Sequence, residues 1–340
     1  MTGRDQRAGE EMFMLKTLAV AALVASSSLV ASRPAAAQDV ASKLPALPIA
    51  EELTIPRREI AVLGSTMSYL EQGKGEVVLF LHGNPSAAYL WRNVIPSVSL
   101  SHRAVAVDLI GMGHSGKPDI QYGFADHARY LDAFVEAMGL ERITLVGHDW
   151  GAALAWDFAR RHPDKVVRLA FMEGVLPPAF PQPSYEAMGK EMGGMFRAMR
   201  DPQEGRRMIM ENNMFVEQIL PMMINRSLGE KARREYGLPY RQIGDRLPTW
   251  AWPRDVPIGG EPASSVRLMN DIQSFMAKTR MPVLLAYADP GVLVPPQAVP
   301  FYTGLIRNLE TAFVGQGLHF IQEDQPAAIG RALADWLRRN

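Results

Sequence analysis

Short apolar runs and helix-spaced stripes alternate along most of the chain. Val77-Val-Leu-Phe-Leu81 is continuously apolar, and Ala104-Val-Ala-Val107 nearly matches it, as expected of strands buried on both faces. Upstream, Glu59 to Leu63 and Met67 to Glu71 read as two shorter strands joined by a Gly-Ser turn. Leu90 to Val98 reads as a helix. From Asp126 to Met138, Tyr130, Leu131, Phe134, Val135 and Met138 recur at helical spacing. Ile143 to Val146 and Val166 to Met172 are two more strands, with a helix-like segment, Ala152 to Arg161, between them. Later, Val266, Met269, Ile272 and Met276 stripe one helix, Pro282 to Ala288 and Ala312 to Val314 resume the strands, and Ile329 to Leu337 closes the chain helically. This alternation predicts an α/β fold with a mostly parallel, doubly wound sheet covered on both faces.

The texture changes at Leu176. Pro177-Pro-Ala-Phe-Pro-Gln-Pro183 opens an insert that Pro253 to Pro262 closes. The predicted organisation is therefore a core of 38–176 and 263–340, interrupted by a helical cap at 177–262. The insert is rich in methionine, with Met188, Met192, Met195, Met199, Met208, Met210, Met214, Met222 and Met223. Methionine fills irregular apolar space and adapts to varied ligands, and plain core is the commoner role. An insert beyond a strand's carboxyl end is placed to roof a site there.

Residues 1–37 read as an address label. Lys16 precedes an apolar stretch from Thr17 to Ala31, Arg33-Pro34 breaks it, and Ala35-Ala-Ala37 supplies small residues for cleavage. That order describes a secretory signal peptide. The expected location is the periplasm or exterior of a bacterium, or the cytoplasm if the signal is not functional, with no stable membrane insertion after its removal.

Composition narrows the chemistry. The 340 residues hold 36 basic and 36 acidic side chains, so nothing points to nucleic acid. With no cysteine, thiol nucleophiles and thiolate metal sites are excluded. The seven histidines are not paired at metal spacing, so no metal is expected. Gly111-Met-Gly-His-Ser-Gly116 spells a dinucleotide fingerprint, but Lys117-Pro118 follows where a helix should open.

The decisive stretch is Gly147-His-Asp-Trp-Gly151, set between a strand and a helix. This is the spacing of a nucleophile elbow, with Asp149 where serine is usual. A carboxylate is suited to displacing a leaving group from saturated carbon, which leaves an alkyl ester on the protein. A base must then activate water. His319, in the Gly-rich Gly315-Gln-Gly-Leu-His-Phe320, follows the last strand late in the chain, in the nucleophile, acid, histidine order. Two carboxylates are candidates to orient it. Glu173 ends an apolar strand, where a charge is unexpected, and is favoured over Asp289, which also reads as a Pro-turn residue. Asn84, after Val77 to Leu81, offers an amide to a departing anion and a backbone N–H to an oxyanion hole. Trp150 offers an indole donor beside the nucleophile. His82 and His148, beside strand ends, read as packing and loop-bonding residues.

The strings His-Gly-Asn-Pro, Gly-His-Asp-Trp-Gly, Phe-Met-Glu, Pro-Gly-Val-Leu-Val-Pro-Pro and Gly-Leu-His-Phe-Ile-Gln-Glu-Asp resemble haloalkane dehalogenases of the α/β-hydrolase superfamily. The likeness spans roughly residues 50–340, with the motifs in family order. It implies an α/β-hydrolase fold and hydrolysis of carbon–halogen bonds, with water as cosubstrate and no cofactor. It implies Asp149 as nucleophile, His319 as base, Glu173 as acid, and Asn84 with Trp150 as the halide-stabilising pair. Val292, Leu293 and Phe320 would line the pocket beneath Phe196 and Phe215. The implied partner is a small halogenated alkane, on a monomer or small homo-oligomer. An epoxide hydrolase shares the aspartate elbow but needs cap tyrosines, for which Tyr185, Tyr236 and Tyr240 are available. Coelenterazine luciferases resemble the same subfamily, and a non-enzymatic binder on a retained fold is a fourth reading.

Overall fold

Eight strands form one sheet in a computed structural model that describes residues 49–340. They are β1 (Arg57–Val62), β2 (Ser65–Gln72), β3 (Val77–Leu81), β4 (Arg103–Val107), β5 (Ile143–Asp149), β6 (Val166–Gly174), β7 (Val283–Pro290) and β8 (Leu309–Gly317). Their order in the sheet is β1-β2-β4-β3-β5-β6-β7-β8. Only the pairings of β2, with β1 and with β4, are antiparallel. The expected signal peptide, 1–37, lies outside the described residues. No helix among the described residues is long and apolar enough to cross a membrane.

The continuous apolar runs are explained by two cores, one on each face of the sheet. Leu79, Leu81, Val105, Val107, Ile143 and Leu145 belong to one, with the helices Phe124–Ala137, Trp150–Arg161 and Ala263–Lys278. Val78, Phe80, Ala104, Ala106, Val146 and Ala170 belong to the other, with the helix Pro326–Arg339. Successive strand residues alternate between faces, so a central strand must be apolar throughout. Each large side chain removed from water contributes about 1.5–3 kcal/mol.

The strand order fixes the position of the site. From β3 the chain crosses to β4 on one side, and β5 lies on the other side of β3. The loops leaving the carboxyl ends of β3 and β5 therefore diverge and open a crevice. The insert sits over this end. Its neck is zipped by Gln182 N–H to Pro257 O and Gly259 N–H to Gln182 O, both 2.9 Å. Above the neck, the helices Lys190–Arg200 and Leu247–Asp255 pack together.

Three local expectations change. Leu90 to Val98 is not one helix but a 3-10 turn, Ala88–Trp91, and a separate helical turn, Ile95–Val98. Pro96 lacks an N–H and is tolerated only in a first helical turn, so a helix restarts there. The first hairpin turns at Leu63-Gly64, both at positive φ, as a tight two-residue hairpin requires, rather than at Gly64-Ser65. The Met-rich insert keeps a regular helix at Lys190–Arg200, but beyond it the chain forms wide π-type turns, Arg206–Glu211 and Phe215–Ile219, instead of regular helices.

Candidate active site

β5 carries Asp149 to the sheet rim at φ 54° and ψ −128°, and the helix Trp150–Arg161 begins at the next residue. Such a conformation in a non-glycine residue costs on the order of 1–3 kcal/mol and must be imposed by its surroundings. The two glycines make it feasible. A Cβ on Gly147 would lie 2.5 Å from the Ala152 Cα, and one on Gly151 would lie 2.3 Å from the Leu81 carbonyl oxygen. Asp149 Oδ1 accepts the Asn84 N–H at 2.7 Å, and the Trp150 N–H at the helix start also bears on the carboxylate. Both donors stabilise negative charge there. Gly83 clears the space, because a Cβ there would sit 2.0 Å from the same oxygen.

The other oxygen, Oδ2, faces His319 Nε2 at 3.4 Å. On the far side of the ring, Nδ1 lies 3.2 Å from Glu173 Oε2. Glu173 is fully buried at the end of β6, also at positive φ. Its carboxylate accepts N–H bonds from Val292, Leu293 and Val294 at 3.0, 2.8 and 3.1 Å. Asp289 is exposed and accepts from Gln316 Nε2, so it does not meet the ring. His148 Nε2 donates to the His319 carbonyl at 2.9 Å, and His82 bridges Gly83 O and Leu109 N–H. Both are therefore loop-bonding residues. Gly111 to Gly116 is a closed loop around buried Asp108, which accepts the His114 N–H, and the next helix begins only at Phe124. No phosphate cradle forms there.

Asp149, His319, Asn84 and Trp150 all line one cavity of about 160 Å³ between the sheet rim and the insert. Phe196, Phe215, Val292, Leu293 and Phe320 line it too. Trp150 is stacked on Trp252 of the insert, ring centroids 4.9 Å apart. The Asn84 amide differs from expectation in one respect. It donates to the Thr249 carbonyl at 3.2 Å, which leaves its second N–H for a ligand. Among the described residues, no group of three metal-ligating side chains occurs.

Residues 76–326 match the alpha/beta hydrolase fold family. A haloalkane dehalogenase of Mesorhizobium japonicum is 42% identical over 286 residues, which span 84% of this chain and 92% of that protein. Another, from Bradyrhizobium diazoefficiens, is 42% identical over 298 residues, 85% of this chain and 96% of its own. The crystal structure of haloalkane dehalogenase DbeA from Bradyrhizobium elkani superposes with a TM-score of 0.79 at 40% identity, covering 84% of this chain and 98% of that one. The chain belongs to the haloalkane dehalogenase family.

In this dehalogenase the charges of the site are interlocked. Burial alone would push the His319 pKa down, yet Asp149 and Glu173 outweigh it and hold the ring at about 9. Burial would raise the Asp149 carboxyl, and His319 outweighs that and holds it below the usual carboxylate range. The two groups thus favour each other's charged form, imidazolium beside carboxylate. The sequence did not disclose the three N–H groups that hold Glu173, because backbone donors have no residue signature. Nor did it separate the methionines. Met188, Met192, Met195, Met199 and Met223 line the cavity, so cavity wall rather than remote core is the role of five of the nine.

Proposed function

We propose that this haloalkane dehalogenase works through Asp149, His319 and Glu173, with Asn84 and Trp150 receiving the halide. Asp149 Oδ2 attacks the halogen-bearing carbon from the side opposite the halogen. A carbon–oxygen bond forms as the carbon–halogen bond breaks, and the halide leaves with the electron pair. The Trp150 indole and the second Asn84 N–H meet its growing charge in an apolar space, where such donors count most. The product is an Asp149 alkyl ester. Esterification removes one of the two carboxylate charges that hold the proton on His319, so the ring gives it up to solvent, as the proton of the overall reaction, and becomes a base. It then takes a proton from water, whose oxygen attacks the Asp149 carboxyl carbon. Oδ1 carries the transient negative charge against the Asn84 and Trp150 N–H groups. The bond from Cγ to Oδ2 breaks, and the proton passes to the departing alkoxide. Haloalkane and water become alcohol, halide and a proton.

One observation carries this reading: the Asp149 carboxylate has one oxygen held by the Asn84 N–H, while the other faces the histidine at the floor of an apolar cavity. The epoxide hydrolase alternative needs a tyrosine over the nucleophile. Among the described residues no tyrosine lines the cavity, and Tyr236 Oη is committed to Glu323. The test is halide release from a panel of chlorinated, brominated and iodinated alkanes, with equimolar alcohol as the expected product. Diol from epoxides without halide release would overturn it. We further infer export, from the signal-like 1–37, and a mature N-terminus near Gln38. A mature chain starting upstream of Ala31 would contradict that.

A further inference from the structure

The loop that carries His319 is stitched to the insert by two acidic residues outside the cavity. Glu323, fully buried, takes both ends of Arg92 at 2.6 and 2.9 Å. It also takes Arg226 and the Tyr236 hydroxyl, both from the insert. Arg226 Nε donates in addition to the Glu323 carbonyl at 2.6 Å. Next to it, Asp324 accepts the N–H groups of Asn225 and Arg226 at 2.9 and 3.0 Å, and that of Leu318 at 3.2 Å. Between them, the Phe320 N–H donates to the Met223 carbonyl at 3.1 Å. His319 therefore lies inside a closed set of bonds that joins 318–324 to 223–236. A buried ion cluster contributes little net stability, because desolvation offsets attraction, but removing one partner is costly. Its arrangement favours geometry over stability: charge-assisted bonds with a planar guanidinium fix direction as well as distance.

We propose that Glu323 and Asp324 are positioning residues that make the placement of the His319 base depend on seating of the insert segment 223–236. These bonds tie 223–236 to the loop of His319, so movement of that insert segment is transmitted to the imidazole. Halide displacement uses Asp149 with Asn84 and Trp150, whose insert contacts are to Thr249 and Trp252 rather than to 223–236, and it tolerates such movement. Ester hydrolysis needs the imidazole within a water's span of the ester, and is the step that seating controls.

This inference rests on the proposed two-step chemistry, and its test separates the two. Arg226→Gln with Tyr236→Phe removes the insert's side-chain hold and leaves Arg92 on Glu323. Neither residue lines the cavity. Rapid-quench mass spectrometry follows formation and decay of the Asp149 ester in single turnover. Formation should stay within about twofold of wild type, while decay slows on the order of tenfold or more, the usual consequence of a misplaced group. Arg226→Lys, which keeps the charge, should recover part of the decay rate. Unaltered decay with a lowered Tm would show a structural brace only and overturn the inference, as would equal slowing of both steps. A wild type that forms no ester overturns the underlying chemistry instead.

Discussion

The ends of β5 and β6 are adjacent in the sheet, and each presents a carboxylate at positive φ, yet the two are treated oppositely. Glu173 is engaged on all sides: three N–H groups from Val292 to Val294 and the His319 ring leave no oxygen facing the cavity. Asp149 has one oxygen held by the Asn84 N–H and the other left toward His319 and the apolar space. The same chemical group thus becomes an orienting charge or a nucleophile according to how many donors consume it.

The contrast is broken most severely at Asp149. Asp149→Ala should lower halide release by at least ~10⁴-fold, read with an excess of a bromoalkane, while circular dichroism stays that of the wild type. Glu173→Gln should spare ester formation but slow ester decay on the order of 10³-fold, because the imidazolium loses its partner. It also turns an amide donor toward the N–H groups of Val292 to Val294, so Tm should fall as well. If Glu173→Gln instead stopped ester formation, the two carboxylates would not be distinct in role.

pH sharpens the comparison further. Asp149 is held below the usual carboxylate range, so ester formation should be flat from pH 9 down to about 5. Decay needs neutral His319. It should fall by about tenfold per unit below the ring's pKa in the ester, a pKa lower than the resting value of about 9. Stopped-flow halide and proton traces read the two limbs separately. The same linkage acts on folding: the raised His319 pKa stabilises fully below pH 6.5, and that contribution fades as pH climbs through about 9. A Tm series should show this alkaline slope, and His319→Phe should flatten it. Smallest is the effect of the apolar walls. Phe196→Ala should raise KM by about tenfold or less and leave ester decay nearly unchanged.

What could be read from the sequence follows the same division. The rim was legible because each residue there is constrained in type: glycines where a Cβ would collide, and a charge where an apolar strand should end. His319 followed from its place after the last strand. Asn84 was legible as a donor, but the diversion of one amide hydrogen to the Thr249 carbonyl was not. The insert was least legible. Its π-type turns replace one register of helical bonding with another that side chains do not announce, and methionine suits core and cavity wall equally well. The break within Leu90 to Val98 was written in Pro96 and outweighed by the apolar periodicity around it.

The central claim is that the free oxygen of Asp149 displaces halide from saturated carbon. Its most direct test is His319→Phe incubated with a 1-bromoalkane, digested and analysed by mass spectrometry. The account predicts one halide released per site and a single alkyl adduct on the peptide that contains Asp149. Halide release that continues without an adduct, or an alkyl group on any other residue, would contradict it.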